Sequence, residues 1–352
     1  MIKIALSKLE KSKGQNVKSL KTIVFSAVFA TALFGANEVN VYSHRHYDTD
    51  KGIFKVFTDK TGIKVNVIQA KANELAQRLE SEGKNSKADI FITADAGNLE
   101  QVRIAGLFQG VSSNEIEKLS PKAWRGKNNE WFAITKRARI IIASKERVPK
   151  GSISTYEDLT DKKWKGKILV RSSSAVYNIS LLSQMIETLG RDKAKAWAQG
   201  IVDNMARTPK GADRDQIRAV YAKEGDVAIS NSYYLGHLIN SKNANDKKAG
   251  ESVYIIFPNQ NGRGTHINVS GVGVLKNAPN KANAIKLVEF LLSPEAQKML
   301  TDGNFEYPIN PSVEPNALLK SWGEFKVQEP DFESYYKNAK EALKIFDEVG
   351  WK

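Results

Sequence analysis

Short apolar strands alternate with helical segments along most of the chain, and this alternation limits the fold more than any other feature of the sequence. The first strands are predicted at residues 38–43, 63–68 and 88–93. Helical segments lie between them, at residues 52–62 and 73–83, and each ends at a glycine. This order is typical of α/β domains in which helices cover both faces of a largely parallel sheet.

The alternation continues to about residue 275, after which helices dominate. Further strands are predicted at residues 134–144, 164–170, 226–230, 252–258 and 266–275, and further helices at residues 179–189, 193–205, 215–225, 280–292, 294–300 and 331–349. Two α/β lobes joined by the long strands 134–144 and 266–275 account for this layout. We therefore predict an amino-terminal lobe of residues 37–134 with 276–352, and a carboxyl-terminal lobe of residues 135–275.

The first 36 residues have the composition of an export signal. Six lysines and one glutamate precede an uncharged segment, residues 22–34, which small residues follow. That segment is too short to span a bilayer, which needs about 20 residues. We predict a signal peptide of residues 1–36, cleaved between about residues 32 and 36, and hence a periplasmic protein. An uncleaved membrane anchor is the alternative.

The amino-acid composition excludes several classes of metal, redox and catalytic site. The chain has no Cys, which excludes disulfides, zinc–thiolate sites, iron–sulfur clusters and thiol nucleophiles, and its four His argue against a multi-histidine metal site. The net charge is +14, and near +9 once residues 1–36 are removed, but the basic residues are interleaved with acids, so no nucleic-acid partner is predicted. No catalytic or nucleotide-binding motif is present, so we expect neither an enzyme nor an organic cofactor. A secreted hydrolase with an unrecognised site is the alternative.

Tyrosines follow three of the predicted strands, at the ends where α/β sheets bind ligands. Tyr47 lies in the segment HRHYD, Tyr177 in RSSSAVYN, and Tyr233 and Tyr234 in NSYYLGH. Phenolate is a hard anionic oxygen donor that suits Fe³⁺, by the same reasoning that gives thiolates to softer metals. The three segments together predict a ferric site. A receptor for a small organic anion or polyamine, with the tyrosines as an aromatic box, is the alternative.

Four phenolates around Fe³⁺ would carry a net negative charge, so cations are expected nearby. Arg45 precedes the His-Tyr pair, and Arg137 lies on the predicted crossover strand. Arg139 alternates with Arg137 on the same strand and is expected to replace it if the other face is turned to the cleft.

The remaining histidines and one tyrosine pair are expected to have no role in metal binding. His44 and His237 flank the tyrosine segments and are expected to face solvent, whereas His266 is expected on the crossover strand. Tyr335 and Tyr336 lie in the carboxyl-terminal helical region and are expected to pack.

Three stretches resemble bacterial extracellular solute-binding proteins, the two-lobed receptors that serve ABC importers. They are ADIFITADAGNLEQVRIAGLF, KKWKGKILV and KANAIKLVEFLLSPEAQKML, and they occur in the order found in that family. The resemblance implies an α/β, two-lobed periplasmic-binding-protein fold of type II, with a ligand cleft between the lobes and a hinge of crossover strands. It also implies a monomer whose partner is an inner-membrane ABC permease.

The tyrosine segments SHRHYDTD, RSSSAVYN and SNSYYLGH resemble the ligand segments of ferric-ion-binding receptors, particularly the tyrosine-rich cyanobacterial type. Carried over by position, the resemblance implies Fe(III) as the transported ligand, with phenolate ligands and one further candidate: Tyr47, Tyr177, Tyr233 and Tyr234, with His46 as a possible fifth ligand. Some members use fewer tyrosines, a glutamate and a bound anion. The HRHYD segment contains no glutamate, which favours direct tyrosine ligation without an obligatory anion.

Overall fold

A mixed β-sheet runs through the structure, a computed structural model that describes residues 37–45 and 47–352. Within these residues the strands are β1 (Glu38–Ser43), β2 (Lys64–Gln69), β3 (Ile90–Thr93), β4 (Phe132–Ser144), β5 (Ile168–Leu169), β6 (Val227–Asn231), β7 (Val253–Ile256), β8 (Ile267–Val274) and β9 (Tyr307–Pro308). The strand order is β2-β1-β3-β8-β4-β6-β5, and β7 and β9 pair with β4. The predicted signal peptide and His46 lie outside the described residues.

The α-helices of the described residues are α1 (Asp48–Thr61), α2 (Ala72–Glu82), α3 (Ala96–Ile104), α4 (Asn114–Leu119), α5 (Val176–Leu189), α6 (Arg191–Asn204), α7 (Asp213–Tyr221), α8 (Ser232–Ile239), α9 (Ala244–Glu251), α10 (Lys281–Leu292), α11 (Pro294–Asn304), α12 (Ala317–Ser321), α13 (Phe332–Lys337) and α14 (Ala339–Glu348). Most predicted elements are confirmed, with ends that differ by a few residues. The strand predicted at residues 164–170 is reduced to β5, and the helix predicted at 331–349 is broken at Asn338. None of the helices in residues 37–45 and 47–352 has the length and hydrophobicity of a transmembrane segment.

The prediction of a largely parallel sheet is wrong for the sheet as a whole. β1 runs parallel to β2 and β3, and β5 runs parallel to β6. The other pairings all involve β4 or β8 and are antiparallel. Parallel neighbours need a crossover connection such as α1, whereas the two long strands run past each other in opposite directions.

Strand β4 divides the sheet into two halves. Its residues 132–138 pair with β8, next to β3, β1 and β2, and we call this the first half. Its residues 139–144 pair with β6 and β7, with β5 beyond β6, and we call this the second half. The lobe boundaries stay a prediction, although α14, which was assigned to the first lobe, packs Ile345 and Phe346 into the core of the second half.

Alternation along β1 explains why helices cover both faces of the first half. Val39 and Val41 face one core, which contains Phe57 of α1. Tyr42 faces the opposite core, which contains Leu75 of α2. Because successive side chains of a strand point to opposite faces, helices on both sides hold the carboxyl end of β1 in place.

Candidate metal centre

Four tyrosines lie where three helices begin. Tyr47 immediately precedes α1, Tyr177 is the second residue of α5, and Tyr233 and Tyr234 are the second and third residues of α8. Each helix follows a strand of the sheet, namely β1, β5 and β6. The amino ends of helices carry partial positive charge and stabilise anionic oxygen. The four tyrosines thus share the same position, at the amino end of a helix that follows a strand.

The phenol groups contact one another through Tyr233. The hydroxyl of Tyr47 donates a hydrogen bond to that of Tyr233 at 3.3 Å, and the hydroxyls of Tyr177 and Tyr233 lie 3.2 Å apart. The ring centroids of Tyr233 and Tyr234 are 4.1 Å apart. Tyr233 is 1% exposed and Tyr177 is 9% exposed. The structure thus brings together the four tyrosines predicted from the sequence, although Tyr47 belongs to the first half of the sheet and the others to the second.

Burial favours the protonated form of three of the phenol groups. Burial raises the pKa of Tyr47, Tyr233 and Tyr234, and negative charge on Tyr177 would raise the pKa of each further. Arg45 acts in the opposite direction on the pKa of Tyr47. The arginines beside Tyr47 and Tyr177 stabilise phenolate, and a highly charged cation bound to the phenol oxygens would favour phenolate strongly.

Arg45, predicted as a neighbouring cation, is fully buried against Tyr47. Its guanidinium carbon lies 4.8 Å from the centroid of the Tyr47 ring. Its Nε and Nη2 atoms each donate to Asp50 at 2.9 Å, and Nη1 donates to Glu306 at 3.1 Å. Asp50 and Glu306 are residues that the sequence analysis missed. Asp50 lies in the quoted segment SHRHYDTD, but Glu306 is distant in sequence and no local pattern points to it.

Three guanidinium groups lie around the ring of Tyr177. Those of Arg137, Arg139 and Arg171 are 5.6, 5.9 and 5.5 Å from its centroid. Arg139 was the alternative to Arg137 for the other face of the strand, but the two are not alternatives. Residues two apart on a strand point to the same face, and both lie buried beside Tyr177. Arg171 was missed, although it opens the segment RSSSAVYN directly after a strand.

The two histidines expected to face solvent are half-buried instead. Nδ1 of His44 lies 3.1 Å from the hydroxyl oxygen of Thr93. The ring of His237 lies against Tyr233, with centroids 6.1 Å apart. Burial, with a further contribution from Arg214, lowers the pKa of His237 to about 4. Both corrections have one cause, since packing of neighbouring helices and strands is not visible in a local sequence pattern.

Of the tyrosine pair expected to pack, Tyr335 has that role, whereas Tyr336 is exposed. Tyr335 is 1% exposed, and its hydroxyl donates to the carbonyl oxygen of Ile267 at 2.7 Å. Its ring centroid lies 5.2 Å from that of His266, which also bonds to Gln184. These contacts attach α13 to the start of β8.

The candidate metal donors that the structure brings together are the oxygen atoms of tyrosines. Among residues 37–45 and 47–352, no group of three or more His, Cys, Asp and Glu side chains is placed to hold a metal ion. Phenolate is a hard donor, so the four tyrosines are the arrangement in the described residues that suits a hard trivalent cation.

Comparison with known proteins gives the family. Residues 52–327 match the bacterial extracellular solute-binding proteins. The chain is 45% identical over 315 residues to iron uptake protein A1 of Synechocystis sp., an alignment that covers 90% of this chain and 88% of that protein. The chain belongs to the bacterial extracellular solute-binding protein family. This family consists of solute receptors and is not an enzyme class.

Solved structures confirm the fold class of this solute-binding protein. It is 50% identical to the ferric binding protein from Campylobacter jejuni, with a TM-score of 0.85 and coverage of 89% of this chain and 100% of that chain. It is 48% identical to a Trichodesmium protein solved in complex with iron and citrate ligands, with a TM-score of 0.85 and coverage of 90% and 100%. The predicted two-lobed, type II periplasmic-binding-protein fold is therefore confirmed.

Proposed function

We propose that this solute-binding protein binds Fe³⁺ through the phenolate oxygens of Tyr47, Tyr177, Tyr233 and Tyr234 and delivers it to an inner-membrane ABC permease. The observation that carries the proposal is the contact of three hydroxyl groups at 3.2 and 3.3 Å. Relatives named for iron uptake and ferric binding support iron as the cargo. His46 as a fifth ligand stays a prediction.

Fe³⁺ replaces the phenolic protons when it binds. A phenol must lose its proton to ligate the metal, and burial opposes that loss, so the charge of the metal drives it. Four phenolates and one Fe³⁺ carry a net charge of about −1, which follows from the charge of each group. Arg45, beside Tyr47, and Arg137, Arg139 and Arg171, beside Tyr177, are close enough to offset this charge.

The mature protein acts as a monomer in the periplasm, after cleavage of residues 1–36. The extracellular character of the family supports export. Intact mass spectrometry of protein from a periplasmic extract measures the cleavage site, and size-exclusion chromatography with light scattering measures the oligomeric state. Full-length mass in the membrane fraction would instead indicate an uncleaved anchor.

Titration of the mature protein with ferric citrate tests the proposed function. Phenolate-to-iron charge transfer should produce a visible absorption band that saturates at one Fe³⁺ per chain and colours the protein orange to red. A protein that stays colourless, but binds a small organic anion or a polyamine in calorimetry, would overturn the proposal in favour of the aromatic-box receptor.

A further inference from the structure

Asp213 joins two of the three arginines that surround Tyr177. It is the first residue of α7 and is 0% exposed. One carboxylate oxygen accepts a hydrogen bond from Arg139, and the other accepts one from Arg171 at 2.6 Å. Burial alone would raise its pKa, but the two guanidinium groups hold the pKa of Asp213 below its usual value. A single buried anion therefore lies between two cations.

One chain of contacts leads from Asp213 to the tyrosine pair of α8. The carboxylate accepts a hydrogen bond from the backbone N–H of Asn231 at 3.1 Å. Arg139 donates to the side-chain oxygen of the same Asn231, also at 3.1 Å. Asn231 is the residue before α8 and lies two positions before Tyr233. Both its backbone and its side chain are therefore held by the Asp213–Arg139 pair.

A second chain of contacts leads to Tyr177. Arg139 donates to the side-chain oxygen of Asn178 at 2.7 Å, and Asn178 directly follows Tyr177. The amide nitrogen of Asn178 donates in turn to the carbonyl oxygens of Arg171 and Ser172, at 3.0 and 3.1 Å. These two hydrogen bonds tie the first turn of α5 to the start of the loop before it, where Arg171 lies. The geometry of this loop depends on the same buried carboxylate.

We propose that Asp213 is a positioning residue of the iron site, which holds Arg139 and Arg171 against Tyr177 and thereby sets the spacing of the Tyr177 and Tyr233 hydroxyls. The inference rests on the proposed Fe³⁺-binding function. Asp213 acts through the arginines, because hydrogen-bond donors occupy both of its oxygens. Its charge also pairs with both guanidinium groups, so that two cations are held side by side next to the ring of Tyr177. Residues of this kind typically change metal affinity without touching the metal.

Asp213→Asn tests the inference against Asp215→Asn, a control two residues further along α7. Asn keeps the size of Asp but lacks its charge and one acceptor oxygen. Asp215 accepts a hydrogen bond from the backbone N–H of Ala212 at 2.8 Å and pairs with the partly exposed Arg218. The control therefore weakens the start of the same helix and leaves the tyrosines untouched. Wild type and both variants are loaded with ferric citrate and compared by chelator competition, visible absorption and thermal unfolding.

Asp213→Asn should weaken Fe³⁺ binding by about 10- to 100-fold and shift or broaden the charge-transfer band, whereas Asp215→Asn should lower only the melting temperature. A folded Asp213→Asn protein with wild-type affinity and band would overturn the inference. If Asp213→Asn does not fold, Arg171→Met decides, because the Arg171 side chain is 22% exposed and Asp213 keeps Arg139 as a partner. An unchanged affinity and band in Arg171→Met would then overturn the inference.

Ferric titration of the wild-type protein distinguishes a failure of the proposed Fe³⁺ binding from a failure of the role of Asp213. Wild type that takes up no Fe³⁺ would overturn the proposed function and this inference with it. Wild type that binds Fe³⁺, together with variants that bind it equally well, would overturn the role of Asp213 alone.

Discussion

At the scale of single residues, the candidate iron site depends most on Tyr233, whose hydroxyl contacts those of Tyr47 and Tyr177. The contacts of Tyr335 are different, since its hydroxyl donates to the backbone carbonyl oxygen of Ile267. Both are 1% exposed tyrosines, so burial does not distinguish them. The two tyrosines differ in the partner of the hydroxyl group, so each serves as the control for the other.

Tyr233→Phe and Tyr335→Phe should have opposite effects. Tyr233→Phe keeps the ring and removes a donor oxygen, so the visible band should disappear or weaken severely while the iron-free protein stays folded. Tyr335→Phe should leave the ferric titration unchanged but lower the free energy of unfolding by about 1 to 3 kcal/mol, since a buried carbonyl loses its donor. Equal loss of iron binding in both variants would instead indicate general destabilisation, and the ligand assignment would fail. Tyr234→Phe should behave like Tyr233→Phe.

His266 should make the folded state sensitive to mild acid. Burial first, and then the positive charges of Arg139, Arg137 and Arg263, lower its pKa well below the usual value. Below a pH of about 6.5 the unfolded chain binds a proton that the folded chain does not, so stability falls as pH falls, by up to about 1.4 kcal/mol per pH unit. Above that pH the contribution is fully present.

Replacement of His266 by Gln should flatten this part of the stability profile. Urea unfolding of the iron-free protein between pH 7.5 and 5 measures the slope for wild type and His266→Gln. The variant should lose the contribution of about one proton, even if it is less stable at neutral pH. Parallel profiles for the two proteins would show that His266 is not the responsible group.

At the scale of secondary-structure elements, strand β8 enters the sheet through a turn that only glycine accommodates. Gly264 has a φ of +92°, and a Cβ atom there would lie 2.7 Å from the backbone nitrogen of Gln328. The next residue, Thr265, forms a bridge with Val327. The close approach of these two backbone segments aligns the crossover strand on which both halves of the sheet depend.

Gly264→Ala should therefore be more damaging than Gly323→Ala. Gly323 has a similar φ of +85°, but nothing lies within 4 Å of the position of a Cβ atom. We expect a loss of about 1 to 2 kcal/mol from backbone strain at Gly323, and about 2 to 5 kcal/mol at Gly264, where overpacking adds to strain. Urea unfolding measures both losses. Equal losses of unfolding free energy in the two variants would show that the backbone of residues 327–328 can move aside at no energetic cost.

At the scale of the whole molecule, the candidate ligands connect the two halves of the sheet. Tyr47 follows β1 of the first half, whereas the other three tyrosines follow β5 and β6 of the second. A hydrogen bond of 2.8 Å from Ser180 of α5 to Asp95, the residue before α3, links the same two halves. A metal bound to all four phenolates would hold the halves together, as hinge closure requires.

Fe³⁺ should therefore compact and stabilise the wild-type protein. Small-angle scattering should show a smaller radius of gyration with Fe³⁺, and free metal at 100 times Kd should stabilise the fold by about 2.7 kcal/mol. Tyr47→Phe should retain some iron on the remaining tyrosines but lose most of the compaction, because the remaining ligands of the iron all belong to the second half of the sheet. A wild-type radius that does not change with Fe³⁺ would contradict this account of closure.

The sequence by itself determined the order of strands and helices, the donor chemistry of the site and the segments that carry it. Periodicity, the absence of Cys and the positions of Tyr47, Tyr177 and Tyr233 after predicted strands are local properties. They can be read without knowing which elements pack together. β5 and β6 are parallel neighbours whose carboxyl ends lie at one edge, so the segments of Tyr177 and Tyr233 could be expected to meet. That Tyr47 joins them depended on the antiparallel strands β8 and β4, which lie between β3 and β6.

Only the tertiary structure decided which side chains surround the phenol groups and in which direction the long strands run. Glu306 lies far from Arg45 in sequence, and Asp213 far from Arg139, so no local pattern could pair them. The burial of His237 likewise depends on Phe305, whose ring centroid lies 5.3 Å away although it is distant along the chain. Such contacts arise because a buried charge or ring takes its partner from whatever element packs against it, and that choice is made by the whole fold.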